Sequence, residues 1–217
     1  MSPAITNLLL KSLGETLYML GVSAFIAAVV GIPLGILLVV TEKGGILSCP
    51  AINKPLSFIV NVIRSIPFII LMVAIIPFTR IVAGTSIGTT AAIVPLTIAA
   101  IPYTARMVET SIREIPFGLV EAAESMGATP LQIIWKVYIP EALPSIIETM
   151  TVVIVTLIGS SAMAGTIGGG GLGDLAIRYG YQRFQADVMI ATIVVLVVVV
   201  QAIQFIGSRL ARKADKR

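Results

Sequence analysis

Gly168, Gly170 and Gly173 meet the spacing G-x-G-x-x-G, with which a backbone turn can approach a pyrophosphate. Their surroundings argue against that chemistry. A long apolar stretch precedes them in place of a strand, and Asp174 follows directly, where it would repel a phosphate. No G-x-x-x-x-G-K-[ST] occurs anywhere in the chain. There is no histidine, and Cys49 is the only cysteine, which excludes imidazole catalysis, imidazole metal sites and an intrachain disulfide. Neither a carboxylate pair, a nucleophile–base set nor a metal cluster can be assembled from spacing, so no cofactor is expected. If this protein moves a solute against a gradient, the free energy comes from another chain. The glycines then fit either a backbone bend over the mouth of a pathway or a plain flexible loop.

The stretch with the most local information is Glu121 to Pro140, EAAESMGATPLQIIWKVYIP. Leu119 to Met126 reads as a short helix of good helix formers with its acids near the start. Gly127 supplies a left-handed stop. Thr129 follows as an N-cap, with Pro130 at the first helical position and Gln132 three residues after the cap. The second helix is expected to run to about Tyr138 and to end before Pro140. Leu131, Ile134, Trp135 and Tyr138 fall at i, i+3, i+4 and i+7 and predict one apolar face. Such a hairpin is too short and too charged to span a bilayer. With Glu121, Glu124, Lys136 and Glu141 it is suited to meet a partner, or to lie on a lipid surface.

The elements that hold it are of membrane grade. Of 217 residues, 57% are hydrophobic and only 12% charged, where a soluble domain carries about 25% charged residues. The fold expected is all-α, a polytopic membrane protein in one transmembrane domain covering residues 1–217. A bilayer core takes about 20 apolar residues per helix. Five segments qualify, at about 17–40, 57–78, 87–108, 146–164 and 188–206, with the hairpin at about 117–143. The first reads as a retained span and not a cleaved signal, since it lacks a basic start and a small-residue cleavage site. Gly31 and Gly35 flank Pro33 within it and suit close helix packing. The second carries Asn61, Arg64, Ser65 and Pro67. A charge in a span is a functional candidate, but Arg64 lies near enough to one end to snorkel to the head groups. The third holds Pro95 and Pro102, and the fifth is a plain lipid-facing helix of Val, Ile and Leu.

Basic residues give an orientation. With the hairpin in the cytoplasm, Lys43, Lys54, Arg106, Arg113, Lys136, Arg209, Arg212, Lys213, Lys216 and Arg217 lie inside, against Lys11, Arg80, Arg178 and Arg183 outside. The N-terminus is then outside and the C-terminus inside. The tail RLARKADKR reads as a topology anchor in contact with lipid head groups and not as a nucleic-acid arm.

The pattern E-A-A-x3-G-x9-V-x-I-P, formed by Glu121, Ala122, Ala123, Gly127, Val137, Ile139 and Pro140, resembles the cytoplasmic loop motif of ABC-importer permeases. In that family the hairpin docks in a groove of the ATPase subunit. Arg64 to Thr97 and Ser161 to Gly173 resemble one branch, the permeases of methionine importers. The resemblance implies a type I importer subunit without a nucleotide site, in a bacterial inner membrane. It also implies a homodimer of this chain, two ATPase subunits that hydrolyse ATP, and an extracytoplasmic binding protein delivering methionine. By position, Ser160 and Met163 would line the outer part of the pathway, and Arg64 is a further pathway candidate; for Met163 ordinary core filling is the alternative. Another small amino acid or an osmolyte is the alternative substrate. A secondary carrier would call for inverted repeats and midplane charges, and a membrane enzyme for a catalytic set; neither pattern is found.

Overall fold

The computed structural model describes residues 3–215. Lys216 and Arg217, assigned above to the inner side, lie outside the described residues. Among the described residues there are helices and no strands. Four helical stretches are long and apolar enough to cross a membrane, and a bent pair of helices makes a fifth.

The first helix, α1 (Pro3–Thr41), is longer at its start than the expected 17–40. Its polar opening turns stay helical because their side chains have partners. Lys11 and Glu15 pair at 3.9 Å across one turn. Glu15 Oε2 accepts the Gly171 N–H at 2.8 Å, and Thr16 Oγ1 accepts the Leu172 N–H at 2.9 Å. Further on, α1 lies directly against α5 (Thr89–Arg113). A Cβ at Gly35 would stand 2.5 Å from the Ala105 carbonyl oxygen, and one at Gly31 2.7 Å from the Thr104 Cβ. Only glycine permits that approach. Around it Met19, Leu20, Ala27, Leu96 and Ala100 join Val153 and Leu157 in the main core.

The expected second span is not one helix. It divides into α2 (Pro50–Ser65), α3 (Phe68–Ala74) and α4 (Ile76–Ala83). The axes of α2 and α3 differ by 103°. The cause is Pro67, which lacks an N–H and pushes the preceding residue out of the helical region; Ile66 has φ −86° and ψ 122°. By contrast α5 passes through Pro95 and Pro102 without ending. Both prolines are packed against neighbouring helices.

The hairpin comprises α6 (Phe117–Ser125) and α7 (Pro130–Ile133), the latter leading through a π turn at Ile134–Tyr138 into α8 (Ile139–Thr166). After it come α9 (Gly171–Leu175), a second π turn (Ala176–Tyr181) and α10 (Ala186–Ala214). Most of α10 is uncovered by the rest of the chain, as a lipid-facing helix would be. The glycine run is an ordered turn: Gly168, Gly170 and Gly171 have φ of 88°, 77° and 77°, and the Gly168 carbonyl accepts the Gly88 N–H at 2.9 Å.

Candidate docking hairpin and pathway

Helix α5 ends ahead of Pro116, and α6 begins with Val120 and Ala123 turned into a cluster with Val39, Ile112, Ile133 and Tyr138. Glu121 and Ala122 therefore face outward while Ala123 is buried. The turn is fixed by backbone bonds. The Gly127 N–H donates to the Glu124 carbonyl at 2.9 Å and the Ala128 N–H to the Ala123 carbonyl at 3.0 Å. This two-bond pattern closes a helix around a left-handed residue, and Gly127 has φ 78°. The expected capping box is present. The Gln132 N–H donates to Thr129 Oγ1 at 3.3 Å, and the Thr129 N–H to Gln132 Oε1 at 2.9 Å.

The second hairpin helix does not end before Pro140. Pro130 to Thr166 forms one continuous helical stretch. The π turn explains how. Its wider ring of backbone bonds accommodates the missing N–H and the ring of Pro140, so the helix shifts register and goes on. The shift also divides the predicted apolar face. Tyr138 is buried, whereas Leu131 and Trp135 stand 64% and 63% exposed. Val137 and Ile139 are half-buried and Pro140 is exposed. With Phe117 at 64% and Met126 at 82%, the hairpin displays large apolar side chains beside Glu121 and Glu124. That combination suits a protein partner more than a solvated loop.

A feature that sequence reading missed lies at the root of the hairpin. Glu109, buried in α5, accepts from Arg106 at 2.6 Å and from Arg113 at 2.7 Å. Arg113 continues to Glu42 at 2.6 Å, and Arg106 to Asn61 at 2.6 Å. The network ties α5 to the end of α1 and to α2. Its signal was legible as R-x-x-E-x-x-x-R, which puts three charges on one face of a helix.

The pathway candidates separate into two places. Arg64, in the last turn of α2 beside the break, and Ser160 on α8 line one cavity of about 240 Å³ between α2, α5 and α8. The Arg64 guanidinium lies 5.8 Å from the centre of the Tyr103 ring. Met163 is not part of this cavity. It is 47% exposed, so it fills no core within this chain.

Residues 31–217 match the family of binding-protein-dependent transport system inner membrane components. A probable D-methionine transport system permease protein MetI from Vibrio cholerae is 55% identical over 98% of this chain and 94% of its own. A protein of the same description from Pasteurella multocida is 48% identical over the full length of both. Among solved structures, an inward-facing conformation of the MetNI methionine ABC transporter superposes with a TM-score of 0.97 at 50% identity, covering 100% of both chains. An amino acid ABC transporter with histidines shares the fold, with a TM-score of 0.79 at 22% identity over 96% of this chain and 94% of that one. With its all-helical spans, its hairpin of exposed apolar side chains and these likenesses, the chain belongs to the binding-protein-dependent transport system inner membrane components.

Proposed function

We propose that this chain is the membrane-spanning subunit of an ATP-driven importer and that the solute is methionine. Two copies would form the channel, two ATPase chains would power it, and an extracytoplasmic binding protein would deliver the solute. All of residues 1–217 act as one permease unit. The hairpin faces the cytoplasm, with the N-terminus outside and the C-terminus inside, and the ten-to-four division of basic residues supports that orientation.

The observation that carries this reading is the hairpin's surface. Leu131 and Trp135 sit at one end of a continuous helix whose other end carries Ser160 and Met163. At 1.5 Å per residue Trp135 and Met163 are about 40 Å apart along it. An ATPase that moves the hairpin thereby moves the pathway wall without a loop to absorb the motion, and the π turn is the point where the helix can bend. Glu121, Ala122, Gly127 and the Val137, Ile139, Pro140 ending shape the docked face. Glu121 and Trp135 touch the partner, while Gly127 and Ala123 fix the angle between the two short helices.

The test is co-purification of the ATPase with this chain. Trp135→Ala should cost about 2 kcal/mol or more of association, because a large exposed aromatic is the expected anchor of such an interface. Glu121→Lys should weaken recovery by reversing one sign of a charge contact. Since both side chains are exposed, the thermal stability of the isolated chain should hardly change. Full ATPase recovery with both variants contradicts the docking assignment.

A further inference from the structure

The cavity between α2, α5 and α8 brings a guanidinium, two hydroxyls and an apolar wall together. Among the described residues, Arg64 has no ion-pair partner; its one contact of that kind is the distant face of Tyr103. A guanidinium held at a break in a membrane span without a carboxylate is a donor set awaiting an anion. Across the cavity stand two hydroxyls of α8. Thr156 Oγ1 donates its hydrogen to the Val152 carbonyl at 2.9 Å, and Ser160 Oγ donates to the Thr156 carbonyl at 3.2 Å. With those hydrogens used inside the helix, both oxygens present only lone pairs to the cavity and can serve as acceptors. Between donor and acceptors the wall is apolar, with Phe68 and Leu157.

From this the geometry points to a transient binding subsite for one zwitterionic α-amino acid with an unbranched apolar side chain. Arg64 takes the carboxylate, Thr156 and Ser160 take the ammonium, and the side chain lies along Phe68 and Leu157. The inference rests on the transport reading and deepens it. The cavity volume, about 240 Å³, leaves room for a single small amino acid. No acid lines the cavity, so the ammonium meets neutral acceptors alone. Binding is thereby weak enough for release, which a pathway requires.

The test uses the chain–ATPase complex in lipid nanodiscs without binding protein, in a Cys49→Ser background. Ala99→Cys places a reporter thiol on the apolar wall, and its rate of modification by a small maleimide is followed. Methionine should slow modification. 3-(Methylthio)propylamine, which lacks the carboxylate, should need a concentration about tenfold higher to protect equally, the worth of one charge-assisted hydrogen-bond pair. In Arg64→Gln the two compounds should protect equally, each as weakly as the amine does in the parent. Arg64→Lys, which keeps the charge but loses the planar fork, should fall between and serves if Arg64→Gln does not assemble. Unchanged discrimination in both Arg64 variants overturns the subsite. So does the absence of protection in a complex that accumulates methionine when reconstituted with its binding protein. Failure of that reconstituted parent to accumulate methionine at all would instead strike the transport reading.

Discussion

Glu109 Oε1 accepts a hydrogen bond from Arg113 Nη2 at 2.7 Å, one turn further along α5 and just ahead of the hairpin. The Glu109 side chain is only 4% exposed, and its other oxygen holds Arg106 at 2.6 Å. A buried carboxylate shared by two guanidiniums cannot be removed without leaving like charges facing each other. Glu109→Ala should therefore lower stability by about 2–4 kcal/mol, less than for a fully enclosed pair because both arginines reach water. Arg113→Ala should cost about 1 kcal/mol or less, since Arg113 and its second partner Glu42 are half-exposed. Thermal unfolding of the detergent-solubilised complex measures both. Equal losses would show that the network is not centred on Glu109.

At Gly127 the constraint is backbone and not space. A Cβ there would meet nothing within 4 Å, yet φ is +78°. Gly127→Val should cost about 1–2 kcal/mol and shift the second hairpin helix, while Gly127→Asn, which tolerates the left-handed region, should cost less. The check is ATPase recovery with each variant. Equal recovery in both would contradict the role of this turn in setting the docking angle.

These two sites also show what the sequence could reveal. The cap at Thr129, the stop at Gly127 and the third, fourth and fifth spans were legible, because caps, left-handed glycines and apolar runs act locally. The break at Ile66–Pro67 was hidden, since Pro67 ends a helix while Pro95 and Pro102, in an equally apolar setting, do not. Whether a proline breaks a span depends on what neighbouring helices offer the freed carbonyls. The π turn was hidden for the same reason. Periodicity assumes a constant turn, so it grouped Leu131 and Trp135 with Tyr138 and missed the register shift that separates them. The long opening of α1 depended on Glu15 and Thr16 finding Gly171 and Leu172 across the fold.

Orientation is checked by labelling in a Cys49→Ser background. Gln182→Cys, in the exposed turn before α10, should react with an impermeant thiol reagent applied from outside intact cells. Asp215→Cys, past the end of α10, should react only after permeabilisation. The opposite pattern would invert the proposed topology.

Met163 is exposed within one chain and sits where α8 approaches the glycine turn. In a two-fold dimer a residue near the axis meets its own copy. Met163→Cys, again without Cys49 and treated with a thiol oxidant, should form a disulfide between copies in the resting complex, and should form less of it when nucleotide is trapped, and the outer side opened, before the oxidant is added. If no cross-link forms in either state and Met163→Ala transports normally, Met163 is not at a gate.

The most direct measurement is methionine accumulation in proteoliposomes holding this chain, its ATPase and the binding protein. Accumulation should require ATP and all three components, and Trp135→Ala should reduce uptake and ATP hydrolysis together. Methionine accumulating without ATP, or at an undiminished rate with Trp135→Ala and Glu121→Lys combined, would contradict a permease driven through its hairpin.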